Sequence, residues 1–244
     1  MEIVLSSASH HALLFAYMAR EVLNADAEKG SRAITEAVRH YGLQRGRRMA
    51  CRAETDGNPC NGLTYEMYSE WACFPGQVAC TASAMDGCLR IRYSRCPWHT
   101  EWKHFNLLEY GRYYCDYVDA AILEGFGISD GGIVCTRTDG MPTCDLVFRG
   151  DHYNSAAFDE MQKMKERLGD RAKMPWPYHV GHLYQCLRNS IYAFFGDAGR
   201  ILIEQAMKQY TVQFGDQAAA LVLEYADLDY NTVTDYEPAA EEQS

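Results

Sequence analysis

Three cysteines in the middle of the chain stand beside groups that could act with them. Cys115 and Asp119 lie four positions apart, Cys96 precedes Pro97-Trp98, and Cys144 precedes Asp145. Helical positions i and i+4 share a face, so a carboxylate at 119 would neighbour the thiol at 115. Leu108 and Ile122 extend the same stripe, which turns the pair inward. A carboxylate is costly to bury unless it meets a cation, and a cationic substrate would supply one. A thiol becomes a strong nucleophile once its proton is removed. The plainer alternative makes Cys115 a small core side chain and leaves Asp119 on the polar edge of the stripe.

Cys96 and Cys144 admit two further readings. With Cys115 and a histidine they could form a Cys₃His zinc site that activates water. These cysteines are far apart in sequence, however, whereas structural zinc ligands usually come in close pairs, and no CxxC pair occurs. The expectation is therefore no cofactor, with zinc as the alternative and buried free thiols as the simplest case.

His10 opens the first helical run. Imidazole titrates near neutral pH, so His10 is a candidate acid/base, against the plainer reading of a cap or packing residue. His179 and His182 have the i, i+3 spacing for joint ligation of a metal. Arg45 and Arg48 continue the apolar stripe of Ile34, Val38 and Tyr41. An inward arginine usually meets an anion and can bind a carboxylate through two parallel hydrogen bonds. Arg45 is thus a candidate clamp for a substrate carboxylate, or half of an internal ion pair. Arg47 and Arg52 read as solvated. Cys96 and Trp98 are candidate substrate contacts, and the aromatics crowding residues 65–117 read as core with some pocket wall.

The elements that would position these groups fall into three parts. Ser6 to Cys51 is helical by spacing, with a break around Asn24 to Gly30, and Asp56-Gly57-Asn58-Pro59 ends it. The middle part, Asn61 to Gly150, alternates. Strands are expected over Thr64–Phe74, Gln77–Ser83, Cys88–Tyr93, Ile133–Thr138 and Cys144–Phe148, with turns at Asp86-Gly87 and Asp139-Gly140-Met141-Pro142. One helix is expected from Leu107 to Glu124, ended by Gly125 and Gly127. The third part, Asp151 to Tyr225, is helical and echoes the first at a constant offset. His10 corresponds to His179, Gly30 to Gly199, Tyr41 to Tyr210 and Gly46 to Gly215. The fold class expected is α+β, an antiparallel sheet of about five strands covered by helix pairs from both ends of the chain. The units are 1–150, a helical extension at 151–226, and an acidic, partly disordered tail at 227–244.

The segments His10-His11-Ala12-Leu13-Leu14, Tyr41-Gly42-Leu43-Gln44-Arg45-Gly46-Arg47, Tyr114-Cys115-Asp116-Tyr117-Val118-Asp119 and Cys144-Asp145-Leu146-Val147-Phe148 occur in that order. Their order and spacing resemble the L-2-amino-thiazoline-4-carboxylic acid hydrolase family, over about His10 to Arg149. The third part lies outside that pattern. The resemblance implies a hydrolase that opens a cyclic isothiourea bearing a carboxylate. Its ring carbon, bonded to two nitrogens and a sulfur, needs a strong nucleophile, an anionic partner for the cationic amidine, and a proton donor for the leaving atom. Cys115 or Cys144 would be the nucleophile, Asp119 the amidine anchor, His10 the acid/base and Arg45 the carboxylate clamp. A zinc-dependent hydrolase of cyclic ureides and a non-catalytic small-molecule sensor are the other readings.

Bulk properties narrow the partners. The 244 residues carry a net charge of −10, which repels nucleic-acid phosphates. No apolar run is long enough for a membrane span, and Met1 to Leu14 lacks a basic, cleavable leader. Ten cysteines without close pairs fit reduced thiols, so a cytoplasmic setting is expected. The expected partner is a small-molecule substrate, with a homo-oligomer left open.

Overall fold

The computed structural model describes residues 5–233 and Tyr236. Helix α1 (Ala8–Ala25) is buried on nearly every side of its first three turns. A single extended residue, Asp26, separates it from α2 (Ala27–Thr55) and caps α2 by accepting the Lys29 N–H. The break expected over seven residues is thus one residue wide. Gly30 explains why the turn is so tight, since a β-carbon there would lie 2.5 Å from the Val22 carbonyl oxygen.

The chain then differs from the strand expected over Thr64–Phe74. Asn61 opens a capping box with Thr64, and α3 (Gly62–Met67) forms instead. Residues 68–78 follow as irregular chain. The local cap prevails over an aromatic alternation that resembles a strand. Strands β1 (Ala79–Met85) and β2 (Cys88–Arg95) form a hairpin, and Asp86 and Gly87 at its tip both take positive φ. Helix α4 (Pro97–His104) starts with proline at its first position. The single helix expected over Leu107–Glu124 is two: α5 (Leu108–Cys115) and α6 (Val118–Phe126), separated by Asp116 and Tyr117. Strands β3 (Gly131–Cys135) and β4 (Cys144–Arg149) complete the sheet.

The fold is α+β, with one antiparallel sheet of four strands in the order β1-β2-β4-β3. Leu89 and Ile91 of β2 pair with Phe148 and Leu146 of β4, and all four are buried against the helices. Cys144 pairs with Tyr93 in the same register. Alternation along β4 puts Cys144 on the face of Leu146 and Phe148.

Helices α7 (Ser155–Leu168), α8 (Trp176–Phe195), α9 (Asp197–Phe214) and α10 (Asp216–Glu224) follow. At the offset that relates His10 to His179, α1 falls on α8, and α2 falls on α9 plus α10. Gly199 packs a β-carbon position 2.9 Å from the Ile191 carbonyl, as Gly30 does against Val22. α8 packs on α1 and α2, and α9 packs on α1, so the later helices share the core of the first pair. The acidic segment is not all solvated chain. Tyr230 is 1% exposed, and its carbonyl accepts a hydrogen bond from Arg48 at 2.7 Å. Of the segment expected to be disordered, residues 234–235 and 237–244 lie outside the described residues. Among the described residues no helix is long and apolar enough to cross a membrane.

Candidate active site

A cavity of about 940 Å³ lies between the sheet and the helices. Its floor is Ala82, Leu89, Ile91 and Leu146 of the sheet, and its walls carry Arg45, Cys96, Trp98, Cys115, Asp119 and Cys144. Six of the seven candidate catalytic and substrate-contact side chains therefore face one space.

Close helix packing sets the spacing between two of them. Arg45 is on α2 and Asp119 on α6. A β-carbon on Gly46 would lie 2.2 Å from the Ile122 carbonyl oxygen, and one on Gly125 would lie 2.4 Å from that of Leu43. Only glycine permits this approach. Gly46 belongs to the Tyr41–Arg47 segment, so its role and that of Arg45 are coupled.

Arg45 is 3% exposed, and its guanidinium carbon is 3.8 Å from the centre of the Trp71 ring. Its Nε approaches Glu70 to 3.4 Å without a hydrogen bond. Both oxygens of Glu70 are already engaged. Arg48 donates to them from Nε at 3.2 Å and Nη2 at 3.0 Å, and Arg52 donates from Nη1 at 2.6 Å. Arg52 is 2% exposed, so the expectation that it is solvated does not hold. Arg47 is exposed as expected. Burial pushes the Glu70 carboxyl up, but Arg48, Arg52 and Arg45 together outweigh it and hold it well below the usual carboxylate range. Three guanidinium groups thus share one carboxylate. Arg45, the least satisfied, faces the cavity, an arrangement suited to an incoming anion.

Asp119 is the second residue of α6 and Cys115 the last of α5, so their proximity comes from the kink between two helices and not from one continuous face. Asp119 makes no hydrogen bond or close ion pair among the described residues. Burial raises its pKa to about 6, with Arg45 pulling it down and Glu66 pushing it up. It is an ionised but poorly solvated carboxylate at neutral pH, matched to accept a proton or pair with a cation.

The three thiols influence one another and are all held neutral. Burial pushes Cys96 up to about 12, although the backbone N–H groups of His99 and Trp98 favour its thiolate. Burial raises Cys115 well above its ordinary value, and Cys96, Asp119 and Cys144 raise it further. Burial also raises Cys144, but its sulfur accepts the Arg137 backbone N–H at 3.2 Å. Cys115 in addition borders a second cavity of about 790 Å³, toward β3 and Asp139.

The histidines depart from expectation. His10 does not line the cavity. Its Nδ1 is 2.8 Å from the Tyr210 hydroxyl, and its ring stacks on Phe214 at 3.9 Å. Burial lowers its pKa to about 4, so it is a neutral packing residue, and the acid/base reading fails on position. The neighbouring His11, which nothing in its spacing marks out, lies behind the cavity wall. Its Nδ1 accepts the Trp98 indole N–H at 3.0 Å, and its Nε2 is 3.1 Å from the Tyr41 hydroxyl. Only the inward face of α1 distinguishes 11 from 10. Nε2 of His182 lies 2.8 Å from the Gln44 side-chain oxygen, and that of His179 lies 3.1 Å from the Glu70 carbonyl, and neither lines the cavity. Among the described residues no group of three or more His, Cys, Asp or Glu side chains is arranged to hold a metal ion.

A family model described as L-2-amino-thiazoline-4-carboxylic acid hydrolase matches residues 7–148, more than half of the chain. No curated protein and no solved structure matches.

Proposed function

The chain belongs to the L-2-amino-thiazoline-4-carboxylic acid hydrolase family, and from that premise we propose that it hydrolyses a cyclic amidine or isothiourea that bears a carboxylate. The observation that carries this reading is the grouping of Arg45, Asp119 and three thiols around one cavity. A thiol as nucleophile and a carboxylate that can face the amidinium and carry the proton answer the three needs of the ring, and the guanidinium adds a site for its carboxylate.

Arg45 holds the substrate carboxylate, stiffened from behind by Trp71. Asp119 faces the cationic amidine. Because the thiols are neutral, the nucleophile needs a base, and Asp119 with a pKa near 6 supplies it. Asp119 takes the proton of Cys115 or Cys144, and the sulfur adds to the ring carbon. The adduct collapses by breaking a ring bond, and the departing atom takes the proton from Asp119. Water then adds to the thioimidate carbon, again with its proton passing to Asp119, and the cysteine sulfur leaves and recovers that proton. The net change is addition of one water and opening of the ring. Cys144 has the better-supported sulfur through the Arg137 N–H, while Cys115 is next to the base along the chain. Trp98, fixed by His11, closes the wall and orients the ring.

The test is turnover of 2-aminothiazoline-4-carboxylate by the wild type, Cys115→Ala and Cys144→Ala, followed by thiol release and by ring absorbance. Thiol release marks C–S cleavage, and absorbance loss without it marks C–N cleavage. One cysteine variant should lose activity by about a thousandfold or more. Full activity in both variants would refute cysteine attack. No turnover of this or related cyclic amidines by the wild type would refute the hydrolase reading.

A further inference from the structure

The cavity is larger than a single ring requires. At about 940 Å³ it lies at the upper end of the roughly 300–1,000 Å³ that encloses drug-sized ligands. A five-membered ring with one carboxylate leaves most of it empty.

Part of the cavity wall comes from outside the family match. α7 supplies Phe158, Met161 and Lys165, and the turn after it supplies Lys173. All four lie beyond residue 148, where the match ends. Phe158 and Met161 are apolar. The Lys165 ammonium makes no hydrogen bond or close ion pair among the described residues. Lys173 gives one N–H to the Ser69 carbonyl at 2.7 Å and keeps two. Glu66 is engaged by the Tyr93 hydroxyl at 2.5 Å, and neither Glu66 nor Asp170 forms a close ion pair with either lysine among the described residues. Burial and then Lys165 lower the Lys173 pKa, Glu66 opposes them, and Arg45 (lowering) and Asp170 (raising) act more weakly. Two ammonium groups, Lys165 and Lys173, therefore line one stretch of wall, and Lys173 feels the repulsion of Lys165. Mutual repulsion of this kind is relieved by a bound anion.

We propose that the substrate carries a second anionic group. Resting on the reading above, one carboxylate sits on Arg45 beside the thiols and the other on Lys165 and Lys173. An apolar arm along Phe158 and Met161 joins them. The substrate class is a cyclic amidine or isothiourea dicarboxylate, longer than the aminothiazoline acid of the family description. The helical extension is, on this account, the part of the chain that sets specificity.

Calorimetric titration with inert thiazoles separates this from the catalytic reading. The probes are thiazole-4-carboxylate, its 2-pentyl derivative, and its 2-(4-carboxybutyl) derivative, titrated into the full chain and into Lys165→Ala, Lys173→Ala and Arg45→Ala. The diacid should bind wild type at least tenfold more tightly than the pentyl monoacid. Either lysine substitution should shrink that advantage severalfold or more. Lys165 is half-exposed on a surface helix, so Lys165→Ala keeps the fold. Equal affinity for the diacid and the pentyl acid, or an advantage that survives both lysine substitutions, overturns the proposal. Failure of the underlying reading has a different signature: Arg45→Ala binds thiazole-4-carboxylate as well as wild type does, which overturns both.

Discussion

The guanidinium of Arg45 rests on Trp71, its carbon 3.8 Å from the ring centre, while the Glu70 carboxylate beside it is already bound by Arg48 and Arg52. Arg45 is therefore part of a buried ion cluster and still turns an unspent cation toward the cavity. The cluster is structural on one side and, on the proposed reading, holds the substrate on the other.

Glu70 is the member whose loss should be most damaging to the fold. Glu70→Gln leaves three buried guanidinium groups without a counter-charge, and breaking a buried pair in this way costs about 3–5 kcal/mol. Urea unfolding at pH 7 measures it. The folded carboxyl is held below its ordinary value of 4.5. Its stabilisation is thus fully present above that pH and is lost as pH falls below it. Acid sensitivity in that window should be weaker in Glu70→Gln than in wild type.

The buried carboxyl of Asp119 carries a stability cost that the proposed mechanism makes use of. Its folded pKa of about 6 exceeds the ordinary 3.8. Between those values the folded chain keeps a proton that the unfolded chain has released, so stability from this residue falls as pH rises through the window. Asp119→Asn should raise Tm at pH 7.5 by roughly 2–4 °C while lowering kcat by about a hundredfold or more. In wild type, kcat/KM should fall tenfold per unit below about pH 6. A flat profile from pH 5 to 7, or an unchanged kcat in the variant, would remove Asp119 from the mechanism.

Gly46→Ala tests the positioning of α2 against α6. Its β-carbon position is 2.2 Å from the Ile122 carbonyl oxygen, so the helices must separate. Overpacking of this kind costs about 1–3 kcal/mol. The same movement draws Arg45 away from Asp119, so activity should fall further than the loss of stability explains at 20 °C, where the variant remains folded. Circular dichroism and turnover on one sample compare the two.

Much of this was legible from residue order. The amphipathic stripe carried Arg45 and Arg48 inward, and the breaker at Asp56 ended α2 at Thr55. The Asp86-Gly87 turn set β1 against β2. What was not legible was decided by tertiary contacts. Thr64–Phe74 alternates like a strand, but the cap at Asn61 and the packing of Gly62 on the Phe148 ring make a helix and a loop. The kink at Asp116 and Tyr117 carries no proline or glycine to announce it. Arg52 looked solvated because its partner, Glu70, sits in that misread segment. His10 and His11 are adjacent and alike, and only the docking of α9 against one and of Trp98 against the other separates them.

The most direct test of the account compares 2-aminothiazoline-4-carboxylate with its 4-carboxamide in wild type and Arg45→Ala, as the ratio of kcat/KM values. Wild type should prefer the carboxylate by about a hundredfold, and the variant should treat the two nearly alike. A carboxylate preference that persists unchanged in Arg45→Ala would contradict the placement of the substrate in this cavity.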